Sequence, residues 1–216
     1  GRGDGTLIAS RLSDALAGLL WSIIPGDLNR DGKLDLVVAS SHSDYVDVLI
    51  GRGDGSFDAM PPVAIPNQTV ASVVAPRDMA IADNNGDGED ELLVAAAVTG
   101  TIATVPILAD GSLGTPVLRT QSVGSRFAFG DFNGDGRIDA AAVKTISFVG
   151  SGRFTNEVEV LLAQTDQTFI AGAAQPTGTG ASGVVAADVN HDGRLDLVIA
   201  NAGDLAEGGT VNGGVV

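Results

Sequence analysis

Apolar residues along this chain fall in short runs, each close to a cluster of Asp, Asn and Gly. Four clusters are each flanked by two runs: "WSIIPG" and "LVVAS", "RDMAIA" and "LLVAAA", "RFAFG" and "AAAVK", "GVVAA" and "LVIAN". Runs this short, bounded by Gly and Asp, predict buried β-strands rather than helices. A third, alternating run follows the first three pairs: "YVDVLI" at 45–50, "TIATVPIL" at 101–108 and "EVEVLLA" at 157–163. Each leads into a turn, "GRGDGSF" at 51–57, "ADGSLG" at 109–114 and "QTDQTF" at 164–169, and then a fourth strand-like stretch. The end of the sequence, "GTVNGGVV" at 209–216, aligns with the third run.

The polar clusters align without gaps as D-x-N-x-D-G-x-x-[DE]: "DLNRDGKLD" at 27–35, "DNNGDGEDE" at 83–91, "DFNGDGRID" at 131–139 and "DVNHDGRLD" at 188–196. A hard divalent cation such as Ca²⁺ takes six to eight oxygens, and a loop with donors at alternate positions can wrap one. In the first copy the donors are Asp27, Asn29, Asp31, the backbone carbonyl of Lys33, and Asp35. The second offers Asp83, Asn85, Asp87, the Glu89 carbonyl and Glu91; the third Asp131, Asn133, Asp135, the Arg137 carbonyl and Asp139. The fourth offers Asp188, Asn190, Asp192, the Arg194 carbonyl and Asp196. Gly32 and its equivalents follow the third donor, where a sharp turn calls for φ > 0. Glu91, one methylene longer, marks the second loop as the one expected to differ in shape. Ordinary Asx-rich turns use the same residue types, but a turn does not need three carboxylates within nine residues.

The flanks separate this loop from helical calcium motifs. An EF-hand continues to a bidentate Glu at position twelve, where this chain has Val38, Val94, Ala142 and Ile199. Dockerin modules share the opening, but their repeats are shorter and helical.

Four short antiparallel strands repeated about every fifty residues read as blades of a β-propeller. The fold expected is therefore all-β: four-stranded antiparallel blades whose calcium loops join the first two strands. Residues 1–216 form one propeller segment with repeats 1–50, 51–108, 109–163 and 164–216. The "GRGDG" at 1–5 and 51–55 contains Arg-Gly-Asp, an adhesion signal, at Arg2-Gly3-Asp4 and Arg52-Gly53-Asp54. Both copies fall at the turn between third and fourth strands, where Gly-Asp-Gly is common turn chemistry. Turn chemistry explains them better than display to a receptor.

The combination of "GDFNGDGRIDAAAV" with "VDVLIGRGDGSF" resembles the FG-GAP/VCBS repeat, the blade of integrin α-subunit propellers and of many bacterial extracellular proteins. The resemblance covers nearly the whole chain. It implies Ca²⁺ in each loop, about four ions, a structural role for the metal, and an extracellular or cell-surface location. Members usually close with seven blades, so four repeats imply a piece of a larger propeller, a closed four-bladed ring, or self-assembly of two copies.

Composition narrows the function. Twenty-seven acids against 12 Lys and Arg give a net charge of −15, a field that repels nucleic acid and anionic membranes. No apolar run approaches the ~20 residues of a membrane span. Cys is absent, which excludes disulfides and thiol catalysis. His42 and His191 lie in polar loops, no nucleophile or phosphate-loop motif occurs, and metal accounts for the paired carboxylates. The expectation is a non-catalytic module for adhesion or protein interaction, with a protein or glycan ligand. Carbohydrate binding is the alternative, disfavoured by 4% aromatic residues, and an accessory domain of a secreted hydrolase is a third reading. "NQT" at 67–69 is a formal glycosylation sequon. Residues 10–22 fit either a short helix, through Leu12, Leu16, Leu19 and Leu20, or an irregular strand. Trp21, beside Ile23 and Ile24, is expected to pack between blades.

Overall fold

The computed structural model describes residues 20–40, 44–66, 76–96, 100–121, 124–147, 154–178 and 180–201. All regular elements among them are strands. The first sheet contains β1 (Leu20–Gly26), β2 (Asp35–Ser40), β3 (Tyr45–Gly51), β4 (Phe57–Ala59) and β5 (Val63–Ala64). The second contains β6 (Pro76–Ala82), β7 (Glu91–Ala96), β8 (Thr101–Pro106) and β9 (Val117–Gln121). The third contains β10 (Gly124–Gly130), β11 (Asp139–Ser147), β12 (Phe154–Ala163), β13 (Phe169–Ala171) and β14 (Gln175–Pro176). The fourth pairs β15 (Ala181–Ala187) with β16 (Asp196–Asn201). Within each sheet consecutive strands are antiparallel neighbours; β5 and β14 extend the fourth-strand edge by pairing with β3 and β12.

The predicted strands are present, and each D-x-N-x-D-G loop joins the first strand of a sheet to the second. Sheet boundaries are offset from the sequence repeats by one strand: β4, after the Arg52-Gly53-Asp54 turn, pairs back onto β3. The turn at residues 1–5, residues 10–19 of the segment that fits a helix or a strand, His42, the sequon at 67–69 and the run at 209–216 lie outside the described residues, while residues 20–22 of that segment are strand, not helix.

The sheets stack face to face in chain order. First strands pack β1 on β6, β6 on β10 and β10 on β15. This explains the near-continuous apolar second strands, because each middle sheet buries both faces. Along β7, Leu92, Val94 and Ala96 join the core shared with Val37 and Ala39 of the first sheet, while Ala95 faces Phe127, Ala140 and Ala142 of the third. Along β11, Ala141 and Val143 turn the other way, towards Ile199 of the fourth. The two-residue period of a strand thus divides one apolar run between two cores. Full burial of each Val or Leu stabilises the stack by about 1.5–3 kcal/mol.

Each first strand carries a register shift at the same place. Pairing runs from Leu20↔Ser40 to Ser22↔Ala39, leaving Trp21 without a register partner, and Arg77, Ser125 and Ser182 are skipped in the same way. A bulge of this kind re-aims side chains. It corrects the expectation for Trp21: the indole is 47% exposed, and the Arg77 guanidinium lies 3.7 Å from its ring centroid. Trp21 does meet the second sheet, but through a cation–π contact at the surface, while Ile24 packs on the core.

Candidate functional site

The four loops fold around their first carboxylate. Asp27 accepts the Asp31 amide at 3.0 Å with Oδ1 and the Gly32 amide at 2.9 Å with Oδ2. Asp83 accepts the Asp87 and Gly88 amides, Asp131 those of Asp135 and Gly136, and Asp188 those of Asp192 and Gly193, all within 2.8–3.2 Å. The third-position Asn repeats the motif on a smaller scale: Asn29, Asn85, Asn133 and Asn190 each accept the amide two residues on. So do the fifth-position acids, Asp31, Asp87, Asp135 and Asp192, towards the amides of Lys33, Glu89, Arg137 and Arg194. Oxygens at alternate positions therefore line the inside of each loop.

Two backbone positions make the curl possible. The sixth residue has positive φ in all four loops, from 82° at Gly32 to 89° at Gly88. The fourth residue is left-handed as well, as Gly86 and Gly134 in the middle loops but as Arg30 (57°) and His191 (62°) in the outer ones. The sequence signal for that second requirement is Gly at this position in two of the four copies.

The ninth residue does more than close the loop. Asp35 is fully buried; its Oδ2 accepts the Leu28 amide at 2.8 Å and its Oδ1 the Gly51 amide at 2.7 Å. Asp139 does the same with Phe132 at 3.0 Å and Ala163 at 2.8 Å. One carboxylate thus ties the loop entrance to the end of the third strand. Glu91 differs, as its length suggested: Oε2 accepts the Asn84 amide and Oε1 the Asn85 side-chain amide, both at 2.9 Å. Asp196 accepts the Val189 amide at 3.1 Å.

Electrostatics divide the donors. Burial pushes the Glu91 and Asp139 carboxyls above the usual carboxylate range, against the opposing pull of their amide partners. The rim acids are held below it: Asp31 by the Lys33 ammonium at 2.8 Å, Asp83 chiefly by the Gly88 amide, and Asp135 chiefly by the Arg137 amide. Arg137 also pairs with Asp135 through its side chain. As test of fit, the donor set is all hard oxygen, the chemistry Ca²⁺ prefers. As placed, the carboxylates face loop amides, and among the described residues no three His, Cys, Asp or Glu side chains converge as a metal cluster.

The Arg52-Gly53-Asp54 turn is internally satisfied. Arg52 Nε donates to Asp58 Oδ2 at 2.7 Å, and Asp54 Oδ1 accepts the Ser56 amide at 2.9 Å and its hydroxyl at 2.6 Å. Asp110–Ser112 and Asp166–Thr168 make the same turn without an Arg-Gly-Asp sequence.

Comparison with known proteins agrees with this geometry. The profile of the FG-GAP-like repeat matches residues 27–94. A search of curated proteins gave no significant match. Among solved structures, the chain is similar to an Agrocybe aegerita lectin studied for specific recognition of non-reducing terminal N-acetylglucosamine. The TM-score is 0.51 at 20% identity, over 82% of this chain and 45% of the lectin, so this chain spans under half of that protein's length. Residues 27–94, from the first loop into the strand after the second, carry an FG-GAP-like repeat.

Proposed function

We propose that this chain is a non-catalytic, calcium-stabilised propeller segment that serves extracellular adhesion or protein interaction. The observation that carries the reading is the alternate-position oxygen lining, repeated in four loops at one end of successive sheets. Asp27, Asn29, Asp31, the Lys33 carbonyl and Asp35 would hold one ion, with the matching residues of the other loops holding three more. Bound Ca²⁺ supplies charge neutralisation: four ions would bring −15 to about −7. The chain's own contribution is to fix the donors on paired strands whose cores hold them in register.

Equilibrium dialysis tests this. Four Ca²⁺ per chain are expected, weakly held as in extracellular modules with dissociation constants on the order of 10⁻⁴–10⁻³ M. Asp135→Ala should remove one and leave three; no bound calcium would overturn the reading.

Carbohydrate binding is the second reading. Its support is the fold shared with the lectin and the half-exposed Trp21, an aromatic of the kind sugars stack on. A glycan array without hits would discard it.

A further inference from the structure

The second loop is tied to its surroundings differently from the first and third. Asp35 and Asp139 each give one oxygen to an amide at the end of their own third strand, Gly51 and Ala163. Strand register places Ile107 at the matching position of the second sheet, and its amide goes to the Asp90 carbonyl at 3.3 Å. Glu91 keeps both oxygens inside its own loop, on Asn84 and Asn85.

What the second loop has in its place is a forward contact. Asn84, its second residue, is fully buried, and its Oδ1 accepts the amide of Ile138 in the third loop at 3.0 Å. That assignment is forced, because a backbone N–H needs an acceptor and the Asn side chain carries one oxygen. Leu28, Phe132 and Val189 hold the same position in the other loops and have no polar side-chain atom to offer. The remaining Asn84 Nδ2 has no hydrogen-bond partner among the described residues. A buried donor without an acceptor lowers stability, so packing alone does not account for an asparagine here. Arg30 also reaches from one loop to the next, at Gly88 O and Glu89, but both side chains of that ion pair are more than half exposed. Such a pair contributes little. The buried contact is the stronger link.

The Ile138 N–H belongs to the same planar peptide as the Arg137 carbonyl, the seventh-position donor of the third loop. In a trans peptide the two groups point in opposite directions, so fixing one fixes the other. A hydrogen bond to the N–H also polarises the carbonyl. We infer that Asn84 is a positioning residue for the third loop: its side-chain oxygen fixes the 137–138 peptide, and with it the carbonyl that loop offers to a cation. The inference rests on the calcium reading and adds to it a coupling, in which the second loop prepares the third.

The test is a calcium titration followed by heteronuclear NMR at the sixth-position amides of Gly32, Gly88, Gly136 and Gly193, one per loop. Asn84→Leu installs the residue found at position 28 and deletes the acceptor. Asn84→Ala deletes it without added bulk, for the case where leucine does not fit. Both should raise the dissociation constant read at Gly136 about three- to tenfold, with the other loops changed less than about twofold. A merely structural role would weaken the second loop, to which Asn84 belongs, at least as much as the third. A third loop that keeps its affinity in the variants, or a second loop that weakens equally, would therefore overturn the inference. A parent protein whose glycine amides ignore calcium would overturn the calcium reading itself, a result seen before any substitution is made.

Discussion

The Asp35 carboxylate reaches across its sheet to accept the Gly51 amide at 2.7 Å, while its second oxygen holds the Leu28 amide at 2.8 Å. A carboxylate is the smallest side chain that can present two acceptors to two donors in this way. Asp35→Asn replaces one acceptor with an NH₂ that faces an amide donor. In calcium-free buffer the variant should lose about 1–3 kcal/mol, read as a lower urea midpoint at unchanged slope. A loss of a few tenths would show that the tie contributes little.

Glycine tolerance should separate backbone strain from collision. A Cβ on Gly136 meets nothing within 4 Å, yet φ is 86°, so Gly136→Ala should cost about 1–2 kcal/mol from conformation alone. A Cβ on Gly51 would stand 2.1 Å from the Leu34 carbonyl oxygen. Gly51→Ala should cost more, about 3 kcal/mol. The reverse order in chemical denaturation would refute the turn geometry.

Asp78 should make one sheet contact pH-dependent. Burial between β6 and β10 pushes its carboxyl above the ordinary value of 3.8, and the Phe127 amide at 2.9 Å pulls it back only in part. A raised native pKa means the folded state keeps a proton that the unfolded chain has lost. The group's stabilising contribution is therefore complete below the unfolded value and declines as pH rises through the native one. Asp78→Asn stays neutral and still offers an oxygen to Phe127. It should be more stable than the parent at pH 7, with the gain vanishing below pH 3.8; an equal gain at both pH values would contradict the assignment.

The Arg52-Gly53-Asp54 turn should prove silent in adhesion. Both charged side chains already have local partners, Asp58 and Ser56. Cells should attach equally well to immobilised parent and Asp54→Glu protein. Attachment lost in the variant would show that the tripeptide is read by a receptor.

Much of this architecture was legible because each feature has its own local signal. Alternating Asp and Asn marked the loops, and apolar runs such as "LVVAS" marked the strands. The bulges at Trp21, Arg77, Ser125 and Ser182 left no such mark, since one extra residue shifts the facing of a strand without changing its composition. Trp21 was therefore assigned to the core that Ile24 enters. The amide tie from Asp35 to Gly51 was hidden for another reason: it joins residues from different strands, and spacing within a nine-residue motif carries no information about the third strand. Arg30 and His191 hid the left-handed fourth position, because a non-glycine residue does not by itself announce a positive φ.

Thermal unfolding with and without calcium bears most directly on the central claim that metal ions hold the four loops. Ligand that binds only the native state raises stability by about 2.7 kcal/mol per site at a hundredfold excess over its dissociation constant. The melting midpoint should rise with calcium concentration and fall on adding EDTA. A midpoint indifferent to both would mean that the loops are held by their own amides alone, and the calcium account would be wrong.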